Sequence, residues 1–173
     1  VFIPQNFSYL RNFLKLYGFE KVDGILGDLG VSSHQFDEQE RGFSIRGNAS
    51  LDMRMNQSAD LSAWKVVNEY DKEDLTRIFR MYADLKNPHK VSWAICNTRE
   101  NKAIDTTDEL LEIIEPYCGG EKKRNQFNAR VFQAIRIEVN QEMEVLKSFL
   151  EQSADCLNPN GRLVIISYHS LED

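Results

Sequence analysis

Two short apolar runs decide what this chain can fold into. VDGILGDL (22–29) and RLVIIS (162–167) are of strand length and apolar at consecutive rather than alternate positions. That pattern belongs to strands covered on both faces, the habit of parallel sheets. Parallel strands cannot be joined by a hairpin and need a crossover. Everything between these two runs reads as helix or loop. The expectation is an α/β fold with the two runs as parallel, buried members of one sheet. Two strands do not make a stable doubly wound sheet, so further strands are expected outside this chain, most simply upstream of Val1.

The first run ends on an acid. Asp28 is followed at once by Leu-Gly-Val-Ser-Ser (29–33). A carboxylate at a strand exit is costly unless it is solvated, hydrogen-bonded or facing a ligand. Ligands of open α/β sheets sit beyond the carboxyl ends of the strands. Asp28 is therefore either a turn-capping acid or a pocket residue. The small residues after it favour the pocket, because Gly30 lets backbone approach a ligand closely.

Around the strands the pattern is helical. Phe7, Leu10, Phe13, Leu14 and Tyr17 recur at helical spacing, with Gly18 as a stop. The stretch from Gly30 to about Asp60, rich in Gly, Ser, Asn and Asp, reads as a long functional loop. Helices follow in LSAWKVVNEY, in DKEDLTRIFRMYADL with Asp71 as N-cap, in NPHKVSWAICNTRE with Asn87 as cap and Pro88 at the first position, and in TTDELLEIIEPY, which opens on Thr and acids. After a break at CGGEKKRNQFNAR, one long helix is predicted over about 128–157, and NPNG turns the chain into the second strand. This order predicts residues 1–37 as the first part of an α/β core, 38–125 as a helical insertion, and 126–173 as the second part of the core.

A formal charge of -6 and a pI near 5.2 argue against a grip on nucleic acid by bulk charge. Local patches remain. Arg41, Arg46 and Arg54 alternate with Phe43, Met53 and Met55, and Lys122, Lys123 and Arg124 form a second basic run. Arg reaches phosphates and aromatic rings stack on unpaired bases, although such a loop can also be merely solvated. Three well-separated cysteines without a C-x-x-C pair point to reduced thiols. The absence of a membrane-length apolar run points to the cytoplasm. His169, Ser170, Glu172 and Asp173 follow the second strand, but no G-x-S-x-G elbow supports a hydrolase. His34, Asp37 and His169 lack the spacing of a metal site. Phe132, Ile135, Val139, Met143 and Leu146 form a core stripe. Arg136 and Asn140 lie on another face, as a structural network or a pocket wall.

Three stretches taken together, DGILGDLGVSSHQFD with ERGFS and LDMRM, VFQAIRIEVNQEME, and NGRLVIISYHSLED, resemble the RsmH (MraW) family over nearly the whole chain. Members of that family are S-adenosylmethionine-dependent methyltransferases that modify the exocyclic N4 amine of a cytidine in 16S ribosomal RNA. The resemblance implies a Rossmann-like class I methyltransferase domain carrying a helical, RNA-recognising insertion. It also implies S-adenosyl-L-methionine as cofactor, 16S rRNA in the small ribosomal subunit as partner, and neither metal nor membrane. On the matching motifs, Phe7 would pack beside the adenine, and Asp28 and Gln35 would hold the cofactor. Asp28, Ser32 and Ser33 would supply acceptors for the amine's protons. Arg41, Arg46, Arg54, Lys122, Lys123 and Arg124 would hold RNA.

Family members also carry a D-x-T-x-G-x-G-G-H cofactor loop and an acidic residue after the next strand, and they continue past HSLED. The chain thus reads as an internal fragment, expected to be inactive alone. It departs from the family at Gly27, where a bulkier residue is common, at YADL (82–85), and at NPNGRL (158–163). Two other classes compete. A non-catalytic RNA- or ribosome-binding helical module would have no use for Asp28. A nucleotide-binding hydrolase would need a phosphate loop upstream.

Overall fold

In a computed structural model describing residues 1–31, 39–169, 171 and 172, the two apolar runs pair in parallel as expected. β1 (Val22–Asp28) lies beside β2 (Leu157–Ile166), with Ile25 opposite Leu163, Leu26 opposite Val164, Gly27 opposite Ile165 and Asp28 opposite Ile166. NPNG does not precede β2 but forms an irregularity inside it. The register shifts between Val22 and Gly24, and Asn160 takes a left-handed φ of 68°.

The strands belong to a unit made of Val1–Gly30 and Gln141–Asp173. Helices α1 (Leu10–Leu16) and α7 (Glu142–Cys156) cover one face of the strand pair. There Ile25, Leu163 and Ile165 pack with Leu10, Leu29, Leu146 and Phe149. The other face carries Leu26, Val164 and Ile166, which are 67%, 52% and 43% exposed. The expectation of strands buried on both faces is therefore met on one face only. The side chains are apolar on both, but among the described residues of this unit the packed helices lie on one side.

The second unit is Val31–Asn140. It holds α2 (Ala63–Glu69), α3 (Lys72–Met81), α4 (Pro88–Arg99), α5 (Thr107–Ile114) and α6 (Arg124–Asn140). Several start where the sequence places a cap. Asp71 Oδ1 accepts the Asp74 N–H at 2.8 Å. Thr106 and Glu109 form a reciprocal capping box, which satisfies two otherwise unpaired donors. Asn87 makes no side-chain cap bond, and Pro88 alone marks the start of α4. The core is fully buried at Val66, Leu75, Phe79, Ile95, Leu110 and Ile135.

One expectation is corrected here. The single long helix over 128–157 is two helices, because Gln141 adopts a left-handed φ of 51°, which interrupts the hydrogen-bond ladder. The apolar stripe continues across the break, so periodicity conceals it. The compact helical unit extends to Asn140, since α6 packs on α2 and α3. Among the described residues, no helix is long and apolar enough to cross a membrane.

Candidate functional site

β1 delivers Asp28 to the carboxyl end of the strand pair, on the uncovered face shared with Leu26. The Leu29 N–H donates to the Ile166 carbonyl at 3.1 Å, which keeps the two strand ends in step. Just past β2 comes Tyr168, whose hydroxyl donates to Asp28 Oδ1 at 3.2 Å. That hydrogen bond, and then the carboxylate's charge, hold the phenol above its ordinary pKa. Asp28 is thus exposed and hydrogen-bonded, so the strand-exit acid is not a desolvated charge.

The turn behind Tyr168 is tied down by Glu172. Its Oε2 accepts the Tyr168 N–H at 2.9 Å, and its own N–H donates to the His169 carbonyl at 3.1 Å. The Glu172 side chain is only 3% exposed, and its Oε1 lies 3.3 Å from His169 Nε2. Both ring nitrogens of His169 are shielded and make no hydrogen bond, so this contact is one of charge, present when the ring is protonated. Glu142, from the first turn of α7, joins them, with donor atoms of the three residues within 4.8 Å of one another. One imidazole and two carboxylates are a donor set that can take a divalent cation. Residue spacing hides it, because Glu142 arrives from a distant helix.

On the covered side, Phe7 sits in a short 3-10 turn, Phe7–Tyr9, capped by Asn6. Its ring meets Phe149 edge-on, with centroids 5.2 Å apart, and remains 42% exposed. Gly27 matters here. A Cβ at that position would stand 2.9 Å from Phe149 Cε1, so a bulkier residue there would displace this ring. Ser32, Ser33 and Gln35, together with His34 and Asp37, lie outside the described residues.

In the helical unit the arginines picked from sequence divide. Arg54 grips its own loop, with Nε on Asp52 Oδ1 at 2.5 Å, Nη2 on Oδ2 at 3.3 Å and Nη1 on the Ala59 carbonyl at 2.8 Å. Its hydrogen bond to the Asp52 carboxylate raises its pKa further. Arg41 donates to the Arg54 and Met55 carbonyls at 2.6 and 3.3 Å and lies over the Phe43 ring. Arg124 stands 3.7 Å from both Glu115 and Glu121. Arg46, Lys122 and Lys123 are exposed.

Asn140 proves to be a network residue. Its Nδ2 donates to the Met53 and Arg136 carbonyls, each at 2.8 Å, and its Oδ1 accepts the Met55 N–H at 2.7 Å. It clamps a loop in which Met53 is fully buried with φ 56°. Tyr168 is the residue that sequence reasoning passed over. The signal was its place beyond the second strand, at the same sheet end as Asp28.

The MraW methylase family model matches residues 1–173. A protein of Christiangramia forsetii called ribosomal RNA small subunit methyltransferase H is 56% identical over 171 residues, which is 99% of this chain and 56% of that protein. Proteins of the same name are 56% identical over 171 residues in Flavobacterium johnsoniae and 54% over 172 in Bacteroides thetaiotaomicron, with the same two coverages. The chain thus spans about half the length of these relatives. The family model covers the parallel strands, the strand-end acid and the helical unit alike, and with relatives at this level of identity the chain belongs to the MraW methylase family.

Proposed function

We propose that the protein to which this chain belongs transfers a methyl group from S-adenosyl-L-methionine to the N4 amine of a cytidine in small-subunit (16S) rRNA, in the cytoplasm. The observation that carries this reading is Asp28, exposed at the carboxyl end of a parallel strand with one oxygen fixed by Tyr168. The names of the relatives support it. The residues present fit the cofactor. Phe7 offers a half-open aromatic ring of the kind an adenine packs against, and Asp28, on the other face of the strands, a carboxylate for a polar group elsewhere on the cofactor. When bound, the cofactor supplies an electrophilic methyl on sulfur.

The chain's own task is to prepare the amine. An aromatic amine is a poor nucleophile because its lone pair is delocalised into the ring. Asp28 would accept an N–H of the amine, which localises that lone pair, and would receive the proton released as the N–C bond forms and the methyl–sulfur bond breaks, its electron pair staying on sulfur. Ser32 and Ser33 offer further acceptors in the same loop, and Gln35 a cofactor contact. Orientation within about 3 Å is the larger part of the rate gain.

RNA contact rests on Arg46, Lys122 and Lys123, with Arg124 beside them and shared with Glu115 and Glu121. Arg41 and Arg54 act by shaping their loop. The helical unit so used is the RNA-recognition part of the protein.

The test is transfer of labelled methyl by the full-length protein to small ribosomal subunits, beside Asp28→Ala. Label on a cytidine that is lost in the variant supports the reading. Transfer unchanged in the variant returns Asp28 to turn capping. Cofactor binding without transfer to any RNA moves the activity to another acceptor.

A further inference from the structure

The geometry points to Tyr168 as the residue on which the acceptor base lies. This inference rests on the methyltransferase reading and adds to it the surface that holds the substrate's ring.

Four observations lead there. Tyr168 is 69% exposed, an unusual state for a large aromatic ring that is also anchored at both ends. Its backbone is held by Glu172, and its hydroxyl by Asp28. The ring also runs along Gly30, where a Cβ would stand 3.7 Å from Tyr168 Cδ2. Gly30 has φ +86°, so both its conformation and its lack of side chain keep that approach open. Lastly, the residues that fix the turn are themselves protected. Glu172 is almost fully buried, and His169 and Glu142 converge on it. A rotamer locked in this way costs little entropy when a ligand lands on it.

The chemistry that recognises such a surface is a flat π-face with polar groups on its edge. A cytosine taken out of its stack has that shape. Stacked on Tyr168, its rim would lie beside Asp28, because the phenol edge already touches that carboxylate at 3.2 Å. With Oδ1 engaged by the hydroxyl, Oδ2 faces the amine. Tyr168 thereby sets both the plane of the base and the rotamer of the acid. Sequence-tolerant stacking of this kind is the usual device for single-stranded bases.

The experiment compares full-length wild type with Tyr168→Leu and Tyr168→Phe. It measures KM and kcat for small ribosomal subunits, the Kd for S-adenosylmethionine, and the Kd for free cytidine in the presence of cofactor. The inference predicts that Tyr168→Leu loses about tenfold or more in kcat/KM for RNA and in cytidine affinity, the range expected for one stacked base. An unchanged far-ultraviolet circular dichroism spectrum and melting temperature show that the variant is folded, and any change in cofactor affinity that comes through Asp28 is shared by Tyr168→Phe, which also lacks the hydroxyl. Tyr168→Phe keeps the ring and regains most of the KM effect, with any remaining loss in kcat.

Equal kcat/KM and equal cytidine affinity in Tyr168→Leu and wild type would overturn the inference. A Phe variant as poor in KM and cytidine affinity as the Leu variant would overturn it too, and would assign the effect to the hydroxyl bond. If wild type transfers no methyl to RNA, the functional reading fails. Cytidine affinity then still decides Tyr168, since a loss confined to Tyr168→Leu sustains the stacking surface and no difference removes it.

Discussion

Asn140→Ala tests how the helical unit holds its long loop. The side chain makes two tertiary hydrogen bonds, to Met55 N–H and Met53 C=O, and one local bond to Arg136 C=O. Each tertiary bond contributes about 1 kcal/mol net, and leaving the Met53 carbonyl unpaired beside a buried side chain adds about 1 more. The local bond is replaced by water at little cost. The expected loss is about 3 kcal/mol. At a urea dependence of about 2 kcal/mol/M, the midpoint falls by about 1.5 M. Both tryptophans of this chain, Trp64 and Trp93, lie in the same unit, so tryptophan fluorescence reports its unfolding. Asn140→Asp keeps the acceptor for Met55 but turns a carboxylate toward two carbonyls, and it should be no better than Ala. A midpoint shift under about 0.2 M in the Ala variant would refute the clamp and return Asn140 to a pocket wall.

Other substitutions probe separate features. Glu109 takes hydrogen bonds from Lys102 and from the Asp105 and Thr106 N–H groups, which bring its pKa down from 4.5 to about 2. A carboxylate with a lowered folded-state pKa stabilises the fold above pH 4.5 and loses that contribution as pH falls toward 2. The melting-temperature gap between wild type and Glu109→Gln should therefore shrink between pH 5 and pH 3. Thr106→Ala removes the reciprocal half of that box and should cost about 1 kcal/mol in urea melts at neutral pH. Gly42→Ala places a Cβ against the Ser50 carbonyl at φ +70°. It should lower expression of soluble protein and the melting temperature together. Arg54→Ala should weaken thermal stability as well as RNA use, whereas Lys122→Ala should reduce RNA affinity, and its salt dependence, at unchanged stability.

Much of this architecture was legible in the residues. The apolar runs announced parallel strands, and Asp71, Pro88 and Thr106 marked helix starts, because these signals act over a few residues. What stayed hidden depends on distant partners. The left-handed turn at Gln141 has no glycine or proline to advertise it. Arg41 and Arg54 carry the composition of an RNA-binding loop, yet Arg41 bonds to the Arg54 and Met55 carbonyls and Arg54 to the Asp52 carboxylate and the Ala59 carbonyl, partners that composition does not reveal. In the candidate site, Asp28 stood out by its place at a strand exit. Tyr168 acquires meaning only once pairing with β1 sets it beside that acid.

The split of the strand unit also governs how the chain folds. Asp23 and Asn158, which bond across the strand ends, are 135 residues apart in sequence. Closing so long a loop from open coil costs about 4 kcal/mol in chain entropy by the logarithmic law. The intervening Val31–Asn140 is contiguous and built of neighbouring helices, the class of structure that forms fastest. Once it has collapsed, the segment between the two strands is no longer free coil, and the closure is largely met in advance. Pairing of β1 with β2 is then expected as a late event that waits on the insertion, and a lesion in the helices should slow the assembly of the strand end that carries Asp28.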